Sequence, residues 1–312
     1  MSSQMKAIVD KLLTNVSQAY IPDGYISESI FPNLTVKQKT GKIGKYGNDH
    51  LRIVNAKMGG SAKAPRYEPI VRDSELYSIE SYGLEGLVTE DDYANVEEPF
   101  DAESDETVGL STTLWTIKER GIGQVLFDPA IITQNVTLAA ATDKYSDYVN
   151  SKPLENFRDA QNTILDSTGV MPNRAIMSQK VFNTLKYHPA VLRTLGFADN
   201  RAGTLSQAEI ANALGVETLH VGNVSFNDAV KGQADNLSQA WTDSILMYHA
   251  PKTAAKYQQS LGYYMTMQGR GSRRVYKYSV DNPPNAKGII VQDDYEFRLT
   301  NVNCGYLIKD CL

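Results

Sequence analysis

The residues of this chain whose types could do chemistry are few, and their spacing does not suit the chemistry. There are four histidines, His50, His188, His220 and His249. None has another His or a Cys at the short intervals that bring metal ligands to one point. His188 precedes Pro189, which marks a helix end, and His220 sits in an apolar run that reads as a strand. Gly41-x-x-Gly44-x-x-Gly47 is glycine-rich and basic, as a phosphate cradle is, but it lacks the Gly-Lys-Ser/Thr ending and no helix follows it. It reads as a loop tip. Glu90-Asp91-Asp92 could hold a hard cation, yet it has neither the spacing nor the glycine of a calcium loop, so a solvated turn is expected. Cys304 and Cys311 stand seven apart, which is neither a zinc knuckle nor a redox pair. Arg270, Arg273 and Arg274 close to Tyr276 and Tyr278 could touch nucleic acid by charge and stacking, or could guard a strand edge against aggregation. With no nucleophile–base pair and no cofactor motif, an α/β enzyme is a poor reading; no catalytic residue, metal or cofactor is expected.

Charge is sorted where chemistry is not. From Lys37 to Arg72 nine bases (Lys37, Lys39, Lys42, Lys45, Arg52, Lys57, Lys63, Arg66 and Arg72) face only Asp49 and Glu68, a net of +7. From Asp73 to Ile117 there is no Lys or Arg, and thirteen acids follow one another, among them Glu97, Glu98, Asp101, Glu103 and Asp105. A basic arm beside an acidic one can bind the acidic arm of the next copy, because complementary potentials steer association and fix register. Two solvated faces that keep the protein soluble are the plainer reading.

The elements that would carry these blocks follow from periodicity. Residues 1–20 read as a helix with Ile8, Leu12 and Val16 on one face, ended by the turn Ile21-Pro22-Asp23-Gly24. Residues 30–54 read as an exposed hairpin with a glycine-rich tip, and 75–89 as a returning strand alternating at Leu76, Ile79 and Leu84. A long helix should start at Asp101, with acids in its first turns complementing the helix dipole. Its apolar residues fall into two stripes, Leu110, Leu114 and Ile117 against Val108, Trp115, Ile122 and Leu126, which predicts a helix sandwiched between two layers. Helices and strands then alternate. Ser151-Lys152-Pro153 opens one helix and Gly169 closes it; Ser178 caps a second; Ser206 and Glu209 form a capping box; 174–177, 218–221 and 245–248 read as strands. From 257 onward the chain is β-rich, with runs at 273–280, 288–300 and 302–308.

The whole chain has 312 residues, enough for roughly two domains, and a net charge of −5, which is not the footprint of a nucleic-acid grip. No apolar run is long enough to cross a bilayer, the N-terminus shows no secretory core, and two thiols suit a reducing compartment. Synthesis in a cytosol and no membrane partner are therefore expected.

In this order the parts resemble a tailed-bacteriophage major capsid protein of the Hong Kong 97 type. Tyr25-Ile26-Ser27-Glu28-Ser29-Ile30-Phe31-Pro32, then Lys37 and Thr40-Gly41-Lys42, resembles the arm-to-loop junction of one branch of that family. Gly169-Val170-Met171-Pro172-Asn173 and Val181–Pro189 resemble its second domain, whereas Asn55-Ala56-Lys57-Met58 departs from the Arg-Ala-Pro-Gly type motif expected after the loop. The resemblance covers roughly residues 12 to 250. It implies an α+β fold with an N-terminal arm (1–35), an extended loop (36–80), a peripheral domain with a spine helix (81–150 and 291–312) and an α/β axial domain (151–290). It also implies subunits that form hexamers and pentamers of an icosahedral head around double-stranded DNA, without sequence-specific contacts, and that meet scaffolding, portal and decoration proteins. An encapsulin-type compartment around a cargo enzyme is the alternative use of the same fold. The charge blocks put the contacts between subunits at Lys37, Lys39, Lys42, Lys45, Arg52 and Arg66 on the basic loop and Glu97, Glu98, Asp101, Glu103 and Asp105 on the acidic region, and the apolar stripes put Leu114, Trp115 and Ile117 in the packing of the spine.

Overall fold

The structure is a computed structural model that describes residues 7–45, 48–51, 53, 56–58, 73–95, 101–196, 205–254, 258–269, 273–280 and 285–312. The chain opens with a two-residue strand, β1 (Ile8–Val9), and a short helix, α1 (Lys11–Ala19). Asp10 separates them: its carboxylate accepts from the N–H groups of Leu12 and Leu13, which fixes the helix start. The expected helix is thus shorter and its buried face shifted by one residue. Leu13 and Ser17 are buried while Leu12 is 73% exposed, because Ile8 and Val9 are held extended against another strand.

β2 (Asn33–Val36), β3 (Thr40–Lys45), β4 (Asp73–Ser78) and β5 (Glu80–Thr89) follow. They do not make the local hairpin expected over 30–54. β3 pairs antiparallel with the distant β4, Thr40 opposite Ser78 and Lys45 opposite Asp73. Gly41 and Gly44 therefore lie along a ribbon and not at its tip, and most of the tip lies outside the described residues. Ile79 is the joint between ribbon and body. It is 1% exposed, and its N–H donates to the Lys39 carbonyl at 2.8 Å.

After a single turn, α2 (Glu90–Asn95), comes the long helix α3 (Ala102–Leu126), capped by Asp101 as expected. Its buried residues include Thr107, Ser111, Leu114, Trp115, Lys118, Ile122 and Leu126, all at helical intervals on one face. The two apolar stripes are thus not both buried: Ile117 is 44% exposed. Part of the buried face is polar, which a count of apolar positions cannot see.

The second half builds β6 (Asn135–Thr137), α4 (Pro153–Thr168), β7 (Arg174–Ser178), α5 (Gln179–Lys186), α6 (Pro189–Thr194), α7 (Gln207–Leu214), β8 (Thr218–Gly222), a small hairpin of β9 (Ser225–Asn227) and β10 (Leu237–Gln239), and β11 (Ile245–Tyr248). The caps fall where expected: Gly169 and Gly215 close α4 and α7 in the left-handed conformation, and Ser206 with Glu209 forms a complete capping box. β12 (Gly262–Met267), β13 (Arg273–Val280), β14 (Ala286–Leu299) and β15 (Gly305–Lys309) complete the chain.

Two large sheets result. One, ordered β6-β15-β11-β7-β8, packs its core against α4 to α7. The other, β1-β13-β14-β12-β2 with β5 also on β14, packs Val275, Ile289 and Val291 against Leu13 and Leu114. The sheets do not follow the boundary expected at residue 290. β12 and β13 belong with β5 and β14, while β15 returns to the helix-covered sheet beside β11. Strand partners so far apart in sequence leave no local pattern to read.

Two glycines of α3 make a test of this packing. A Cβ on Gly123 would stand 2.4 Å from the Ala240 carbonyl oxygen, whereas at Gly121 nothing lies within 4 Å. Gly121→Ala should stabilise the unassembled chain by about 0.5–1 kcal/mol, the helix-propensity gain. Gly123→Ala should destabilise it despite the same gain. Denaturant midpoints that move the same way in both variants would contradict the placement of α3 against the 240–241 turn.

Candidate functional site

Of Leu114, Trp115 and Ile117 on α3, the first two are buried within one chain and Ile117 is 44% exposed. Trp115 is 1% exposed; its indole N–H donates to the Tyr20 carbonyl at 3.3 Å, and the Tyr25 ring meets it edge-on. The residues sequence reasoning missed are its charged neighbours. Lys118 has no exposed surface; its Nζ lies 2.7 Å from Glu28 Oε1, 2.6 Å from Asp293 Oδ2 and 3.0 Å from the Tyr264 hydroxyl. The same ammonium stands 4.5 Å from the Tyr295 ring centroid. Burial pushes the Asp293 carboxyl pKa up, against the pull of Lys118 and Arg273. Glu119, also buried, accepts at Oε1 from the N–H groups of Ile26 (2.7 Å) and Ser27 (2.6 Å) and at Oε2 from the Trp241 indole (2.8 Å). The signal for these two was available: 111, 114, 115, 118 and 122 lie on one face, so a charge at 118 had to be paired inside.

The other end of the same segment rests on the helix-covered sheet. Asn223 N–H donates to the Gly24 carbonyl, Arg174 to the carbonyls of Ser29 (3.3 Å) and Ile30 (2.7 Å), and the Tyr248 hydroxyl to Ile30 (2.8 Å). Residues 24–31 thus form a strap across α3, β7, β8 and β11, ending in the buried side chains of Ile30 and Phe31.

The charge blocks are partly consumed within the chain. Lys37, Lys39 and Lys42 are exposed on and before the ribbon and Lys45 is half-buried. Asp101 caps α3, and Asp105 is exposed on its first turns. Glu103 departs from the expectation of a free acid. It bonds Lys277, Lys287 and the Tyr93 hydroxyl of its own chain, and its side chain is 14% exposed. Burial opposes its ionisation, but the three hydrogen bonds outweigh it and hold the carboxyl pKa at about 2. Glu75 of the acidic block likewise pairs with Arg298 at 3.1 Å. Arg52, Arg66, Glu97 and Glu98 lie outside the described residues, as does Arg270. Arg273 is buried over Trp115 and Arg274 is paired with Asp294, so neither is presented to a nucleic acid as the cluster allowed.

The structure does bring together one pair that sequence order hid, Ser151 Oγ and His188 Nε2 at 2.9 Å. It is not a nucleophile and base. His188 Nδ1 accepts from the Ala190 N–H at 3.2 Å, so the neutral ring carries its proton on Nε2 and donates it to the serine. Ser151 in turn donates to the Asp147 carbonyl. Burial pushes the Cys304 thiol up to about 12 and the Cys311 thiol higher still, which keeps both protonated and inert. Among the described residues no three His, Cys, Asp or Glu side chains converge on a metal position, and no helix is long and apolar enough to cross a membrane.

Residues 130–247 match the model of the family described as phage major capsid protein E. Over 269 residues, 84% of each chain, the sequence is 23% identical to the major capsid protein of Burkholderia phage BcepMu. The fold superposes on a phage-related protein from Bordetella bronchiseptica with a TM-score of 0.72 at 24% identity over 98% of both chains. It superposes on the capsid of cyanophage P-SCSP1u with a TM-score of 0.59 at 10% identity, over 93% of this chain and 89% of that one. These likenesses indicate a phage major capsid protein, and the fold is that of the Hong Kong 97 type. In that fold α3 is the spine helix, and the strap is what binds this capsid protein's N-terminal segment to it.

Two substitutions test the site. Trp115→Ala should cost the unassembled chain about 3–5 kcal/mol, the range for a buried aromatic. Glu103→Gln should cost on the order of 1 kcal/mol at pH 7, discounted for solvent screening. Because the Glu103 pKa is depressed, that difference should be full above pH 5 and fade as pH falls toward 2. An undiminished difference at pH 3 in urea titrations would show that the ion pairs are not its source.

Proposed function

We propose that copies of this capsid protein assemble into hexamers and pentamers of an icosahedral head that encloses double-stranded DNA without reading its sequence. The protein acts as a structural component of the virion and not as an enzyme. Assembly takes place in the host cytoplasm, with scaffolding, portal and decoration proteins as further partners. The observation that carries this reading is the β3–β4 ribbon. An isolated two-stranded hairpin is marginal in water. This one leaves Leu76 66% exposed, and it presents Lys42 beside it, with Lys37 and Lys39 before β3. A second copy is the cover that fits it.

The acids that would receive the ribbon are Asp105, exposed at the start of α3, and Glu97 and Glu98, which precede that helix in sequence and lie outside the described residues. Each exposed pair contributes only about 0–1 kcal/mol, but pairs that close a lattice act together. Within one subunit the ribbon is the extended loop. β5, β12 to β14, α1 and α3 are the peripheral body, and the sheet from β6 to β15 with α4 to α7 is the axial one.

Negative-stain images of the purified chain should show closed shells, and reversing Lys37, Lys39, Lys42 and Lys45 to Glu should block them without unfolding the subunit. Salt should slow assembly of the parent chain, since the Debye length is about 8 Å near physiological ionic strength. Shells forming as fast from the four-Glu chain at low salt would sink the electrostatic part of this reading. Shells that contain a protein cargo and no nucleic acid would replace the head by an encapsulin-type compartment.

A further inference from the structure

His220 on β8 touches the strap, and its protonation state follows from its partners. Ser29 Oγ donates to the Ile26 carbonyl at 2.8 Å, so it has no proton left for the His220 Nδ1 that stands 3.3 Å away. The ring nitrogen must therefore be the donor, Nδ1–H to Ser29 Oγ. The tautomer leaves a bare lone pair on Nε2, which is buried without a hydrogen-bond partner. A second proton can go nowhere else. There it would find no acceptor, in the field of Arg174, the residue that holds the strap at Ser29 and Ile30.

We propose that His220 is an acid-sensitive release for the strap of residues 24–31, so that protonation of its ring undocks the strap from the helix-covered sheet while both sheets stay folded. Among the described residues the groups around the ring leave no counter-charge. From β7 it faces Arg174; from β11 the Tyr248 hydroxyl is engaged by Ile30; from the strap it meets Ser29, while Glu28 is committed to Lys118. Burial first and Arg174 second lower the ring's pKa to about 4 from its ordinary 6.5. A depressed histidine pKa means that docking is fully favoured above pH 6.5 and weakens as pH falls toward 4. Glu119 works the other way. Burial raises its carboxyl pKa, so at that end acid favours docking, and the sensitivity belongs to the histidine.

Hydrogen exchange of the full-length chain, corrected for the intrinsic effect of pH, tests this. With an undocked ring of ordinary pKa, His220 by itself should lower the protection of amides 26–31 about thirtyfold between pH 7.5 and pH 5 by linkage, less what Glu119 returns. Amides of β11 should hold, and those around His188, a second buried histidine, are followed separately because burial lowers its pKa too. In His220→Gln, which can still donate to Ser29 but cannot be protonated, the strap should keep its protection over the same range. An equal loss in His220→Gln, or no loss in the parent chain, overturns the proposal. So does an NMR titration of the parent's His220 ring that gives a pKa near 6.5, a measurement that needs no variant. None of these readouts involves shell formation, so they stand or fall apart from the assembly reading.

Discussion

A peptide strap held by buried polar bonds is what the two sheets of this subunit depend on. Residues 24–31 lie on the spine helix on one side and the helix-covered sheet on the other, and directional contacts fix them at both: Glu119 on two backbone N–H groups, Arg174 and Tyr248 on two carbonyls. Apolar burial supplies attraction but little register, since a greasy surface accepts a shifted neighbour nearly as well. A carboxylate that must satisfy two successive amides accepts one position of the chain. Once residues 24–31 are so placed, Phe31 is delivered between Tyr248 and Phe297, and β2 starts beside β12 in parallel register.

The same logic explains the charge inside the spine. Lys118 and Arg273 are both buried, and removing such groups from water is expensive unless they are paired. Lys118 draws together Glu28 from the strap, Asp293 from β14 and Tyr264 from β12, four elements meeting at one ammonium. Well-packed apolar residues of equal volume could give as much stability. What the ion pairs add is a preference for the one placement of those elements in which Glu28, Asp293 and Tyr264 all reach Lys118.

Local signals in the sequence were good guides and long-range ones were not. The caps at Asp101, Ser178 and Ser206, the break at His188-Pro189 and the left-handed glycines 169 and 215 are each decided within about four residues, and all could be read. The family resemblance rested on such short stretches. The partners of β3, β12 and β15 are set by tertiary closure over tens to hundreds of residues, and a hairpin of neighbours was the wrong default for 30–54. The spine helix misled in another way. Counting apolar residues found two stripes, because Thr107, Ser111, Lys118 and Glu119 were not counted as interior. The acidic block was read as a surface, yet Glu103 and Glu75 face bases brought from beyond residue 270, outside the window in which the block had none.

These intrachain pairs narrow where a subunit can adapt. A body whose sheets are joined by matched charges and a directional strap resists small deformations, since each polar contact is lost over a few tenths of an ångström. Among the described residues the β3–β4 ribbon meets the body at the Ile79 joint, the Lys39–Ser81 contact and the Glu75–Arg298 pair near its base, and just past β3 at Asn48, whose amide donates to the Ser167 carbonyl. In the closed shell proposed above, copies in non-identical positions would have to differ somewhere, and the strain energy of differing is lowest where fewest interior bonds are bent. On that proposal the adaptation falls in the ribbon, with its pivot at Ile79, while the strapped body is carried from position to position unchanged.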